Sequence, residues 1–249
     1  MVELFTCNEG VVGSIPTPGS MENTISVHNG GFVTLLDSSA NDLDVVNAAR
    51  VSFNTSHEKM EKGDAELINY LMKHRHGSPF EHTYFKFRIR LPIFVAREWI
   101  RHRIGNSFNE VSGRYTEINM GFYVPADSHV RQQVGKPGNY RYETIEDSDT
   151  VKRAQRIIDQ AAEACFDDYN ELLNIGVAPE LARVVLPVNA YTEWIWSVNA
   201  RSLMSFLSLR AEPHAQREIQ DYAYALEEFF KETMPNTYAA WNSNGRMAP

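Results

Sequence analysis

The stretch RHRIGNSFNEVSGRY, residues 101–115, carries Arg101, Arg103, Glu110 and Arg114 beside His102, in a chain whose net charge is -8. A guanidinium is costly to bury alone, and its planar fork matches phosphate or carboxylate oxygens. Arginines set among apolar, small or turn residues therefore call for a carboxylate or a bound anion. Arg101, Arg103, Arg114, Arg183, Arg201 and Arg210 are of this kind. Arg88 and Arg90 alternate along a strand pattern and Arg153 and Arg156 lie on a polar helix face, so water suffices for all four. Spacing alone allows the RHR cluster to be a helix C-terminus whose cations complement the dipole. The N-E-V-S-G-R-Y that follows adds an amide, a carboxylate, a hydroxyl and another cation in a Gly-containing turn, which favours a ligand-reading loop.

Other chemistries find less support. HRHGSPFEH, residues 74–82, holds three histidines without the spacing of a metal site, so no metal is expected. Either a helix stops there at a Gly77 turn, or His76, Ser78 and Glu81 line a pocket wall. His214 precedes the last helix as a cap or packing residue. No G-x-G-x-x-G opens a βαβ unit and no P-loop motif is present. Cys7 sits in a loose extension and Cys165 on an apolar helix face expected to be buried. Neither lies beside an activating base, and together they make no disulfide framework.

The elements that must position the arginines are read from periodicity. The GSIPTPGSMEN region makes residues 1–30 an irregular extension ahead of a single domain, 31–249. FVTLLD reads as a strand, and Asn41-Asp42 caps a helix through LDVVNAARVSF. A second helix covers Ala65 to His74. Between Thr83 and Leu91, Phe85, Phe87, Ile89 and Leu91 alternate with Lys86, Arg88 and Arg90, the best strand in the chain. Pro92 ends it, and IFVAREWIRHR resumes helical spacing. Residues 128–148 read as a loop. Beyond Thr150 helices dominate: one with Ile157, Ala161, Cys165, Tyr169 and Leu172 on its inner face, one through WIWSVNARSLMSFLSLR, and a last one with Ile219, Tyr222, Leu226 and Phe229 inward. The fold class is α+β, one antiparallel or mixed sheet packed with several helices. The excess of acid, 32 Asp+Glu against 24 Lys+Arg, disfavours nucleic acid and anionic membrane as partners. With no apolar run long enough to span a bilayer and no signal core, the location read from sequence is cytoplasmic.

RHR followed by N-E-V-S-G-R-Y resembles the signature of the flavin-dependent thymidylate synthases. NDLDVVNAARVSF, YLMKHRHGSPFEH, PIFVAR, ARVVLPVNAYT and VNARSLMSFLSLRAEPHAQREIQ are similar to that family too, over about Gly31 to Met234. The resemblance implies a homotetramer with active sites shared between subunits. It implies transfer of a methylene from methylenetetrahydrofolate to dUMP and its reduction to the methyl of dTMP, with FAD reduced by NADPH and no cysteine nucleophile. It assigns Ser52, His76, Ser78, Arg101, His102, Arg103, Asn109, Glu110, Asn199, Ala200, Arg201, Ser205 and His214 to FAD. It assigns Glu98, Arg101, Glu110, Val111, Ser112, Gly113, Arg114, Arg183 and Arg210 to dUMP. The resemblance makes Arg210 the catalytic residue, stabilising the anion that forms as N3 of the uracil ionises.

Three positions depart from the family pattern. Eight residues rather than seven separate Arg103 from Ser112, which places an extra residue near Gly105-Asn106. Glu98 stands where glutamine is frequent, with Arg101 as its expected partner three residues along the helix. Ser205 replaces a flavin-contacting asparagine by a shorter hydrogen-bonding group. The readings competing with the synthase are a non-catalytic nucleotide- or RNA-binding module and a catalytically dead relative spoiled by the extra residue.

Overall fold

The computed structural model describes residues 23–249. A five-stranded sheet runs in the order β1 (Thr24–Val27), β2 (Gly31–Ser38), β3 (Tyr84–Pro92), β7 (Tyr191–Asn199), β4 (Asn106–Glu110), all neighbours antiparallel. β5 (Arg131–Lys136) and β6 (Asn139–Thr144) form a separate hairpin. The alternation read in β3 holds, with Phe85, Phe87, Ile89 and Leu91 fully buried, and the strand lies at the centre of the sheet because both its edges are paired. The fold is α+β, as expected.

Helices α1 (Asp42–Arg50), α2 (Asp64–Lys73), α3 (Ile93–Trp99), α6 (Ala200–Arg210), α7 (Arg217–Thr233) and α8 (Pro235–Ser243) supply much of the remaining core. Asn41 caps α1 as the sequence indicates, accepting from the Asp44 N–H at 2.8 Å. Trp99 and Phe206 sit 4.5 Å apart between their ring centroids, and Trp99 meets Trp196 edge to face at 5.1 Å. These rings join the end of α3 and the middle of α6 to the sheet, so the segments after Trp99 and before Phe206 are held by buried aromatic anchors. The inward residues expected of α7, Ile219, Tyr222, Leu226 and Phe229, are all buried.

Several expectations are corrected. The segment WIWSVN is the strand β7 rather than the start of a helix: Trp194, Trp196 and Val198 alternate inward, and Asn199 caps α6 where the period changes. The turn after Arg103 contains β4, paired with β7 from Asn106 to Glu110. Residues 128–148 hold the β5–β6 hairpin instead of a loop, and residues 24–27 of the supposed extension are β1; Cys7 lies outside the described residues. Arg88 and Arg90 do not simply face water. Both pair across the strands with Glu193, Arg90 at 3.0 Å, and Arg90 lies over the Phe32 ring at 5.1 Å. Helix α4 (Ser148–Asn174) forms, yet its expected inner face is largely open: Tyr169 is buried, Ile157 is 56% exposed and Cys165 is half-buried.

Candidate active site

After Trp99 the chain leaves helical geometry and makes one further turn, with the His102 N–H donating to the Trp99 carbonyl at 3.0 Å. Gly105, at φ +64°, then redirects it into β4. A side chain there would be strained twice, because an added Cβ would fall 2.4 Å from Ser202 Oγ and 2.5 Å from Asn199 Nδ2. This close approach sets the RHR turn against the N-terminus of α6. Between them lies a cavity of about 640 Å³ lined by Arg101, His102, Arg103, Asn199, Arg201 and Ser205 among others. The Asn199 side chain accepts from the Ser202 N–H at 2.8 Å, leaving its amide NH2 free. The positive dipole end of α6 adds to the cationic lining.

Arg201 pairs with Glu81, and its Nε donates to the Pro249 carbonyl at 2.6 Å. Gly77 packs against the same guanidinium, a Cβ there falling 2.5 Å from Arg201 Nε. Of the three residues read as a pocket wall, Glu81 lines the cavity, whereas His76 and Ser78 are not in its lining. Arg101 and Arg103 pair with no carboxylate among the described residues.

Arg210 lies at the far end of α6 and reaches back to the RHR turn. Its Nε donates to His102 Nε2 at 3.0 Å, its Nη1 to Glu98 Oε2 at 3.3 Å and its Nη2 to the Glu98 carbonyl at 3.4 Å. Glu98 therefore partners Arg210, and the expected Arg101 pair is absent because Arg101 lies past the end of α3, off the i,i+3 face. Burial, reinforced by Arg210, lowers the His102 pKa to about 4. Its imidazole is neutral at pH 7, as its role as acceptor from Arg210 requires. Burial raises the Glu98 pKa, with Arg210 opposing.

A second group forms at the other end of β4. Glu110 accepts from the Thr192 hydroxyl, and the Val111 N–H donates to the Glu193 carbonyl at 2.9 Å. The buried Gly113 lets the turn pack onto Arg183, a Cβ there lying 3.2 Å from Arg183 Cδ. Arg114 pairs with Glu180 at 3.2 Å, while the Arg183 Nε donates to the Glu180 carbonyl at 3.2 Å. Ser112, Gly113, Arg114 and Arg183 thus share one surface. The five residues of β4 separate it from the cavity by roughly 14 Å of strand.

Ser52 is exposed on a 3-10 turn between Val51 and Phe53, away from the cavity lining, and His214 is exposed and paired with Glu212 at 2.8 Å. Asn109 lies on β4 and Ala200 begins α6. The sequence reading missed Ser202, Ala248 and Pro249, which also line the cavity. Ser202 was legible as the residue three beyond the Asn199 cap; the tail carried no periodic or motif signal.

The family model described as Thymidylate synthase complementing protein matches residues 34–236. The chain is 48% identical over 211 residues to a flavin-dependent thymidylate synthase of Thermosipho africanus, covering 85% of this chain and 90% of that relative. It is 46% identical over 217 residues to the protein of the same name from Thermotoga neapolitana, covering 87% and 93%. Among solved structures it is similar to a UMP/dUMP methylase PolB from Streptomyces cacaoi bound with 5-Br dUMP, with TM-score 0.81, 44% identity, 90% of this chain and 100% of that chain.

Proposed function

The chain belongs to the flavin-dependent thymidylate synthase family, and from that membership we propose that it converts dUMP to dTMP with methylenetetrahydrofolate as carbon donor and FAD reduced by NADPH. The observation that carries the reading is the cationic cavity, where Arg101, Arg103 and Arg201 converge with the N-terminus of α6. A volume of about 640 Å³ lies in the range of cofactor sites, and its donors suit the pyrophosphate of a dinucleotide. FAD bound there would supply the redox equivalents that turn a transferred methylene into a methyl.

The chain's own residues would divide the remaining work. Arg101, His102, Arg103, Asn199, Ala200, Arg201 and Ser205 hold the flavin, with Ser52, His76, Ser78, Asn109, Glu110 and His214 as further contacts. Arg101 and Glu110 through Arg114, with Arg183, hold dUMP, Arg114 and Arg183 facing its phosphate. Arg210 sits beside the uracil, where its charge favours the ring anion and makes C5 more nucleophilic without covalent attack. Glu98 and the neutral His102 keep the guanidinium in place. The chemistry proposed here uses no cysteine nucleophile.

One chain leaves the flavin and nucleotide groups at opposite ends of β4. Exposed apolar side chains stand beside them: Phe53 at 81%, Ile104 at 85%, Tyr115 at 78%, Val184 at 76% and Leu209 at 60% exposure. These neighbour Ser52, Arg103, Arg114, Arg183 and Arg210 in sequence. Such placement supports a homotetramer whose sites are completed by other subunits. The test is direct. Purified protein should be yellow, its flavin should bleach anaerobically with NADPH, and adding dUMP and methylenetetrahydrofolate should yield dTMP by chromatography. Colourless protein that takes up no FAD and forms no dTMP would overturn the proposal.

A further inference from the structure

Away from the RHR cavity, three elements bring a histidine pair and a carboxylate together: His28 in the β1–β2 turn, His129 in the 3-10 turn of residues 127–129, and Asp221 on α7. We propose that these three residues bind a divalent transition-metal ion of the zinc class. One ligand atom from each lies within 4.8 Å of those of the other two. Asp221 Oδ2 is 2.9 Å from His129 Nε2 and 3.8 Å from His28 Nδ1. Two nitrogen or oxygen ligands on tetrahedral zinc sit about 3.4 Å apart, a spacing those distances bracket. A plain hydrogen-bonded network accounts for the first distance but not the second, which is too long for a hydrogen bond.

The surroundings orient each group. His28 Nε2 lies 3.3 Å from the Glu218 carbonyl, which places the ring proton there and leaves the Nδ1 lone pair directed at the cluster. Arg217 holds Asp221 Oδ1 at 3.0 Å, fixing the carboxylate while Oδ2 faces the histidines. The His28 side chain is only 4% exposed, and it is held at φ 57°, an uncommon conformation for a residue with a Cβ. Asp221 and the buried Glu218 outweigh Arg217, so the local field favours a cation. A cavity of about 820 Å³ opens beside the three ligands, with room for water at a fourth position. Its lining shares no residue with the RHR cavity, so the proposal is independent of the flavin chemistry. The sequence concealed it because the ligands are scattered across almost the whole chain.

The full chain, stripped with chelator and titrated with Co2+, should bind one cobalt per chain and develop the visible d–d bands of a four-coordinate ion. Zn2+ should displace it and raise Tm by several degrees. Asp221→Asn and His28→Asn should weaken binding at least about tenfold and remove the bands. Asn tolerates the left-handed backbone at position 28, so that variant decides the matter if Asp221→Asn fails to fold by circular dichroism. No saturable cobalt binding at micromolar concentrations would overturn the site. So would wild-type bands in folded His28→Asn.

Discussion

Arg210 commits all three guanidinium nitrogens to its own chain, through His102, the Glu98 carboxylate and the Glu98 carbonyl. One hydrogen on each terminal nitrogen remains for a ligand, so the residue offers a fixed cation rather than a mobile one. Arg210→Lys should lower dTMP turnover about 100-fold or more, since a point charge reproduces neither the fork nor the three contacts. FAD content by absorbance should stay near wild type; unchanged turnover would remove Arg210 from the uracil. At this scale the sequence exposed which arginines need partners, but not which partners. Glu98 was matched to Arg101 by helical spacing, and the true pairing crosses from α3 to α6 over 112 positions. Linear spacing cannot register such contacts, because they depend on how two helices are packed against one sheet.

At the scale of elements, β4 holds the two halves of the site apart and in register. Its pairing with β7 is unbroken from Asn106 to Glu110, and the left-handed Gly105 turns the chain into it. Gly105→Ala should strain that turn and displace Asn199 and Ser202, cutting FAD retention on gel filtration severalfold at a stability cost of about 1–3 kcal/mol. Full FAD retention in Gly105→Ala would show that the approach to α6 is dispensable. The central strand was legible because its buried face alternates strictly. β7 was obscured because WIWSVNARSLM also satisfies helical spacing, and only pairing with β3 and β4 selects the extended form.

For the molecule as a whole, the described residues leave much apolar surface unspent. A helix of 27 residues buries only Val151, Ala162 and Tyr169, and Leu181, 61% exposed, joins Val184 beside Arg183. A helix with so few buried positions is accounted for when other copies of the chain cover it. Light scattering should therefore report a tetramer, and Leu181→Glu combined with Val184→Glu should yield smaller species with lost dTMP formation; a monomeric wild type would refute the assembly. No helix among the described residues is long and apolar enough to cross a membrane. What the sequence determined by itself was local: residue chemistry, the RHR and N-E-V-S-G-R-Y motifs, the α+β class, and the elements whose periodicity admits one reading. The tertiary structure alone decided that β7 is a strand, that Glu98 and His102 clamp Arg210, and that His28, His129 and Asp221 meet. Strand pairing, ion pairing and ligand clustering are contacts between residues remote in the chain, and their energies depend on distances that no linear pattern encodes.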